Sequence, residues 1–282
     1  MKCPSFGEHF SHLTKLWFEG DILCPLLPPV GELAQLSDLS IVPVSSVKRI
    51  GHEFLGVGVC VWDGTHIKKL AFTNLKYLVL RDLSNLEEWT FNKEGEGFEQ
   101  GRGMTQVLPQ LDELLIDNCP RLQTLLECLE WSNMKIVHIE GAHNLREVQN
   151  LCNLKEELRL INNLTLERVS LIHELEVIVI CDCPEVNFVE NIDSPQQLEL
   201  LDEFMEEIPE WLARLRDEQK STNDDDFTFK CSNKKAHTRM LKRGLDWPII
   251  QRIPQVSITT NRGSYFLRQT RNPFNCDTNI NF

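Results

Sequence analysis

Nothing in this sequence is built to cross a bilayer or to grip a nucleotide. No apolar run is long enough to span a membrane, and the start carries no charged-then-apolar leader. A G-x-x-x-x-G-K-[ST] loop is missing, and so is an acidic strand-end pair to hold magnesium. The glycine-rich stretch Gly95–Gly103 lacks the Lys-Ser/Thr and the following helix of a phosphate cradle. Ten cysteines are present without the close-set framework of a small secreted domain. Reduced thiols, and a cytoplasmic or nuclear location, are therefore the expectation. Positive charge is also short: 29 Lys and Arg against 42 Asp and Glu give a net −13, which argues against nucleic-acid binding through bulk charge. The shortage is uneven. Residues 221 to 282 hold ten basic and five acidic side chains, a net +5, and residues 1 to 220 carry the remaining −18.

What the chain does have is a line that occurs twice. Leu111-Asp-Glu-Leu-Leu-Ile-Asp-Asn-Cys-Pro-Arg-Leu122 matches Leu175-Glu-Val-Ile-Val-Ile-Cys-Asp-Cys-Pro-Glu-Val186. Both fit L-x-x-L-x-L-x-x-(N/C)-x-x-L, the signature of a leucine-rich repeat. Its physics is a short strand whose alternate side chains point inward. A Cys or Asn follows where the chain turns away, and a small polar group there can serve the turning backbone. One unit cannot bury its apolar side alone, so neighbours stack.

Five further units follow the same rule. They are Leu13–Phe18, Leu36–Ile41, Leu75–Leu80, Met134–Ile139 and a degenerate one at Leu158–Leu160, where Lys155 takes the first leucine's place. The last inward strand residues are 18, 41, 80, 116, 139, 160 and 180, spaced 23, 39, 36, 23, 21 and 20 apart. Most steps fall in the range of about 20–29 for these repeats. The two long ones imply insertions, at Gly51–Lys69 and at Asn92–Gly103; the second should be a mobile loop. Asn163-Leu-Thr165 is a glycosylation sequon in form, but Asn163 falls on the repeat's inward Asn position and reads as structural.

The pattern fades after Val189. Gln196–Lys220 has amphipathic helical spacing broken near Pro209, and is expected to cap the solenoid. Ser221–Asp226 reads as a linker, Ser232–Gly244 as a short basic helix ended by Gly244, and Val256–Thr270 as a hairpin. The expected organisation is thus a solenoid with capping helix over 1–220 and a linker, basic helix and terminal hairpin or tail over 221–282. The N-terminal end, Phe10 to Leu13, has little capping and should expose an apolar edge.

Several longer strings carry a resemblance. Leu27-Pro-Pro-Val-Gly-Glu-Leu33, Val47-Lys-Arg-Ile-Gly-His-Glu-Phe-Leu-Gly56, Leu86-Glu-Glu-Trp89 and Leu108-Pro-Gln-Leu111, followed by Ile116-Asp-Asn-Cys-Pro-Arg-Leu122, occur here in order. So arranged, residues 3 to 216 resemble the C-terminal leucine-rich-repeat region of plant nucleotide-binding leucine-rich-repeat disease-resistance proteins of the coiled-coil class. Asp246-Trp-Pro-Ile-Ile-Gln-Arg-Ile-Pro254 is similar to a closing segment of some members. The resemblance implies an α/β horseshoe with a parallel sheet on its concave face and irregular loops and short helices on its convex face. It implies pathogen sensing in the plant cytosol, in which repeats recognise an effector or restrain an ATPase-type module. That module is not found in this sequence, which reads as a fragment, a truncated product or a repeat-only relative.

Chemistry-bearing groups have plainer explanations. Cys181 and Cys183 have no second Cys or His pair at zinc spacing. His138 and Glu140 share a strand face without a nucleophile or a pocket. The basic stretch Lys230–Arg243 lacks interleaved aromatics; it is the one route to nucleic-acid binding, and a solvated or docked helix is the plainer reading. No enzyme activity, cofactor or metal is assigned. The candidate surface is the set of strand positions between the inward leucines: Lys15, Trp17, Glu19, Tyr77, Val79, Arg81, Glu113, Leu115, Asp117, His138, Glu140, Arg159, Val177 and Val179. Apolar side chains directed at solvent point to a protein partner: a pathogen effector, a guarded host protein, or the nucleotide-binding module of a resistance protein. A non-immune repeat scaffold is the alternative.

Overall fold

The computed structural model describes residues 9–20, 26–56, 71–91, 107–170, 175–190, 195–202, 205, 207–212, 227–232, 244–260, 265–271 and 273–279. Strands of five residues recur along it. They are β1 (Lys15–Glu19), β2 (Asp38–Val42), β4 (Tyr77–Arg81), β6 (Glu113–Asp117), β7 (Ile136–Glu140), β9 (Glu157–Ile161), β11 (Val177–Cys181), β13 (Gln197–Leu201) and β14 (Thr228–Ser232). With β15 (Gln255–Thr260), β16 (Tyr265–Arg271) and β17 (Phe274–Thr278) they make one twelve-stranded sheet in chain order. All pairings through β15 are parallel; β16 and β17 close the sheet antiparallel. This is an α/β repeat solenoid, as the sequence pattern requires.

The register is that of the spacing. Phe18, Ile41, Leu80, Ile116, Ile139, Leu160 and Ile180 form one row across the sheet. All but Phe18, at the open edge, are at most 2% exposed. A second row, Leu39, Leu78, Leu114, Val137, Leu158 and Ile178, lies two residues earlier. Both rows enter a single core with Leu36, Leu75, Leu111, Met134 and Leu175. The degenerate unit keeps its leucine one position early, because Leu154 is buried where Lys155 is exposed.

Backbone hydrogen bonds couple each coil to the next. The carbonyl of Thr14 accepts from the amides of Ser37 and Asp38, Ser37 from Lys76 and Tyr77, Lys76 from Asp112 and Glu113, and Asp112 from Lys135 and Ile136. After five of these strands, β4, β6, β7, β9 and β11, the following residue adopts a left-handed conformation: Asp82, Asn118, Gly141, Asn162 and Asp182 have φ of 55°, 51°, 67°, 53° and 51°. Asn, Asp and Gly tolerate that conformation best. It aims the amides at the neighbouring coil, as in Asn118 to Glu140 at 2.8 Å and Asn162 to Cys181 at 2.8 Å.

The Asn and Cys positions do the work expected of them. Asn163 is fully buried; its Oδ1 accepts from the Ala142 amide at 2.9 Å and its Nδ2 donates to the Ile139 carbonyl at 2.9 Å. Cys119 Sγ donates to the Leu80 and Asp117 carbonyls, and Cys183 Sγ to those of Leu160 and Cys181. A glycan cannot be seated on an Asn so enclosed, so the sequon is structural.

On the opposite side lie 3-10 turns and short strands. β8 (Glu147–Val148), β10 (Arg168–Ser170) and β12 (Phe188–Glu190) form a three-stranded parallel sheet, and β3 (Arg49–Ile50) pairs with β5 (Glu88–Trp89). Mostly loops and short helical turns were expected there.

The C-terminal third departs from the sequence reading. Residues 197–201, expected in a capping helix, form β13, with Leu198 and Leu200 buried. Among the described residues of this stretch, helix appears at residue 210, after Pro209, where Trp211 and Leu212 join the core. β14 then carries Phe229 and Cys231 into the two inward rows, and β15 carries Val256 and Ile258. The sheet therefore runs on from 1–220 into 221–282. Lys230 and Ser232, assigned to a basic stretch and helix, belong to β14; residues 233–243 lie outside the described ones, as do the Ser221–Asp226 linker and the Asn92–Gly103 insertion. The expected terminal hairpin is present as β15 and β16. At the opposite end, among the described residues, Leu13, Leu16 and Phe18 are only partly buried and Phe10 is 47% exposed, an apolar edge of the kind expected there.

Candidate functional site

Because strand side chains alternate, the residues between the inward ones form three rows on the outer face of the sheet. The middle row runs Trp17, Ser40, Val79, Leu115, His138, Arg159 and Val179, then Glu199, Lys230 and Ser257. Lys15, Tyr77, Glu113 and Val177 lie in the row before it, and Glu19, Arg81, Asp117 and Glu140 in the row after. All fourteen candidate residues therefore share one face. Positions 197, 199, 201, 228, 230, 232, 255, 257 and 259 extend it. Sequence reasoning missed them because Pro195 and Asp226 stand where a first leucine belongs, and because Phe and Cys replace leucine in β14. Ile253-Pro-Gln-Val256-Ser-Ile258 does fit the strand signature, and was the available signal.

The face is graded. Trp17 is 71% exposed and Tyr77 41%, whereas Val79, Leu115, His138 and Arg159 are half-buried. Val179 departs from expectation: it lies on this face yet is only 3% exposed. It contributes to packing, not to contact. Aliphatic surface gathers over β6 to β13, at Leu115, Ile136, Ile161, Val177 and Leu201.

Its charges are largely matched within the face. Lys15 pairs with Asp38 at 3.0 Å, Arg81 with Asp117 at 2.7 Å, Arg159 with Glu157 at 2.6 Å and Lys230 with Glu199 at 2.8 Å. Such exposed pairs contribute little to stability, about 0–1 kcal/mol each, but they fix side-chain orientations. A Ser37 hydroxyl, followed by Lys15, holds the Asp38 carboxyl below its usual range despite a partial opposing effect of burial. His138 Nε2 sits 3.5 Å from Glu140 Oε2 without hydrogen-bonding geometry, so the two alternating residues do approach one another.

Four of the thiols, Cys119, Cys181, Cys183 and Cys231, are poorly suited to nucleophilic chemistry. Burial pushes Cys119 up to about 12, Cys183 to about 11 and Cys231 to about 12; at Cys181 burial and then the Asp182 carboxylate push it to about 12. A reactive thiol needs the opposite shift. Among the described residues no three His, Cys, Asp or Glu side chains gather to hold a metal, and no helix is long and apolar enough to cross a membrane. A polar cleft of about 790 Å³ lies on the far side of the coils, lined by Glu88, Gln123, Asn144, Arg146, Gln149 and neighbours. It was not anticipated, and its groups come from the turns and the short strands β5 and β8, where the repeat signature is silent.

No family model matches the chain, and no solved structure does. One comparison is informative: the chain is 27% identical over 189 residues to a protein of Arabidopsis thaliana described as a probable disease resistance protein. The match takes in 64% of this chain and only 15% of that much longer relative. By sequence, then, this solenoid is a distant relation of a plant disease resistance protein.

Proposed function

We propose that the chain is a protein-interaction module of plant defence, whose partners dock on the outer face of the twelve-stranded sheet. The observation that carries the reading is that face: aliphatic and aromatic side chains, from Trp17 and Tyr77 to Leu115 and Leu201, stand on a rigid parallel sheet with no part of the described chain covering them. Apolar area of this kind, rimmed by oriented charges, suits protein capture. The distant resistance-protein relative supports a role in defence. The partner is a pathogen effector, a guarded host protein or the nucleotide-binding module of a resistance protein, and binding rather than catalysis is the activity. Among the described residues six cysteines are free thiols, and a reducing, cytoplasmic setting suits them.

The test is co-expression of the chain with a nucleotide-binding module from a resistance protein of the same plant, scored by co-purification and by leaf cell death. A triple variant W17E/Y77E/L115E is the comparison. It should lose capture and any effect on cell death while keeping wild-type circular dichroism and melting. Equal capture and equal cell-death effects for the folded variant and the wild type would remove this face from the account. Val179 is not used, since charging a buried residue would test folding instead.

A further inference from the structure

The charges on the outer face do not balance. Across β1 to β15 the four Lys and Arg of this face, at 15, 81, 159 and 230, each already hold a carboxylate within 3.0 Å. Carboxylates remain. Among the described residues, no Lys or Arg stands within ion-pair distance of Glu19, Glu113 or Glu140; Glu140 has only His138, at 3.5 Å. Farther along, Arg268 and Asp277 are register partners of opposite charge. The surplus is therefore acidic, and two of its three members fall on the central strands β6 and β7.

Their placement is specific. Glu113 and Glu140 stand at opposite corners of a patch whose register sets Glu113 beside Ile136, Leu115 beside His138 and Asp117 beside Glu140. Asp117 is taken by Arg81. Four residues of strand separate the two open carboxylates, roughly 13 Å, plus one strand spacing of roughly 4.8 Å across. Leu115 and the half-buried His138 lie between them, with Ile136 and Ile161 alongside.

An extended polypeptide has the same period. Side chains at i, i+2 and i+4 share a face, and the outer two are also roughly 13 Å apart. We propose, resting on the reading that this face is a partner surface, that it takes an extended cationic segment of the partner protein, of the form Lys/Arg-x-aliphatic-x-Lys/Arg. The two cations meet Glu113 and Glu140, and the aliphatic side chain lies over Leu115. Charge complementarity of this kind favours the right partner and speeds encounter, while an acidic segment would be repelled. A basic partner is also drawn to the −18 of residues 1 to 220 at long range.

The experiment uses the full chain and two fluorescein-labelled twelve-residue peptides, each with two Lys-Ser-Leu-Ser-Lys frames or two Glu-Ser-Leu-Ser-Glu frames, followed by anisotropy. Binding of the cationic peptide should be at least tenfold tighter than that of the acidic one, and should weaken severalfold between 100 and 500 mM salt. E113Q/E140Q should weaken it at least fivefold. E130Q/E185Q, which removes the same charge from other faces, should change it less than twofold. The proposal is overturned by equal binding of the two peptides, by no binding of the cationic one, or by equal losses in the two double variants. Failure here is separable from failure of the parent reading: if W17E/Y77E/L115E abolishes partner capture and E113Q/E140Q does not, the surface stands and its cationic preference falls.

Discussion

Replacing Asn163 with alanine should be among the most damaging single changes to this protein. The side chain is fully buried and closes two backbone groups, the Ala142 amide and the Ile139 carbonyl, each at 2.9 Å. Alanine removes both partners and leaves a donor and an acceptor in a dry site. Each such orphan costs about 1–3 kcal/mol, so the variant should lose about 2–5 kcal/mol, a large share of the roughly 5–15 kcal/mol that holds a domain together. Asn163→Cys should fall between the two, because a thiol can donate to Ile139, as Cys119 donates to Leu80, but accepts weakly from Ala142. Urea unfolding measures the loss. Hydrogen exchange should place it in the coils around residues 139–145, since stacked repeats feel mainly their neighbours. A loss below about 1 kcal/mol for Asn163→Ala, where exposed positions typically fall, would refute the idea that this side chain closes the turn.

Other perturbations separate the parts of the argument. Phe229→Ala, in β14, should cost about 3–5 kcal/mol as a core truncation; if residues beyond 220 were an appended tail, urea unfolding of the main body would scarcely change. Gly141→Ala meets two problems, a φ of +67° and a new Cβ 3.3 Å from Asn118 Cα, and should lower stability by about 1–2 kcal/mol, whereas Asn144→Ala, in the exposed turn after it, should not. The buried thiols of Cys119, Cys183 and Cys231, raised to about 12, 11 and 12 from 9.0, give a pH dependence of definite sign. The folded protein keeps protons that the unfolded chain releases, so stability is full below pH 9 and declines as pH climbs toward 11 and 12. Unfolding midpoints across that range check it, and a rise would contradict the burial of these groups.

Much of the fold could be read from two periods in the sequence. Alternation within a strand placed Leu114, Ile116, Ile178 and Ile180 inside, and the spacing of about twenty residues placed successive coils side by side. Both readings hold because an inward residue is judged by its apolarity alone, and Leu, Ile, Val and Met all satisfy it. Beyond Val189 that economy failed. Gln197-Leu-Glu-Leu-Leu201 has leucines that suit a helix face or a strand face equally, and only tertiary pairing with β11 decides the matter. Phe229 and Cys231 satisfy the inward rows without resembling leucine. The left-handed residue after the five strands β4, β6, β7, β9 and β11 was visible as Asp82, Asn118, Gly141, Asn162 and Asp182, a signal the repeat signature does not name. Of the candidate surface, the face of every residue was legible but not its depth: alternation puts Val179 on the solvent-directed face, yet it is only 3% exposed.

Everything depends on coils stacked in parallel with no slip, and Cys181 offers a direct probe. Its register partners are Ile161 on one side and Leu201 on the other, and adjacent strands lie about 4.8 Å apart, within disulfide reach. Ile161→Cys and Leu201→Cys should each form a disulfide with Cys181 under forced oxidation with copper phenanthroline at pH 9, which offsets the raised Cys181 thiol, identified by peptide mass mapping, while Leu160→Cys and Leu200→Cys, which point into the core, should not bridge to Cys181. Cross-linking of Cys181 itself to 160 or 200 in preference to 161 or 201 would mean that the strands are paired differently, and the shared core described here would not exist; a bridge from 200 to Cys231, its inward register partner, agrees with the account.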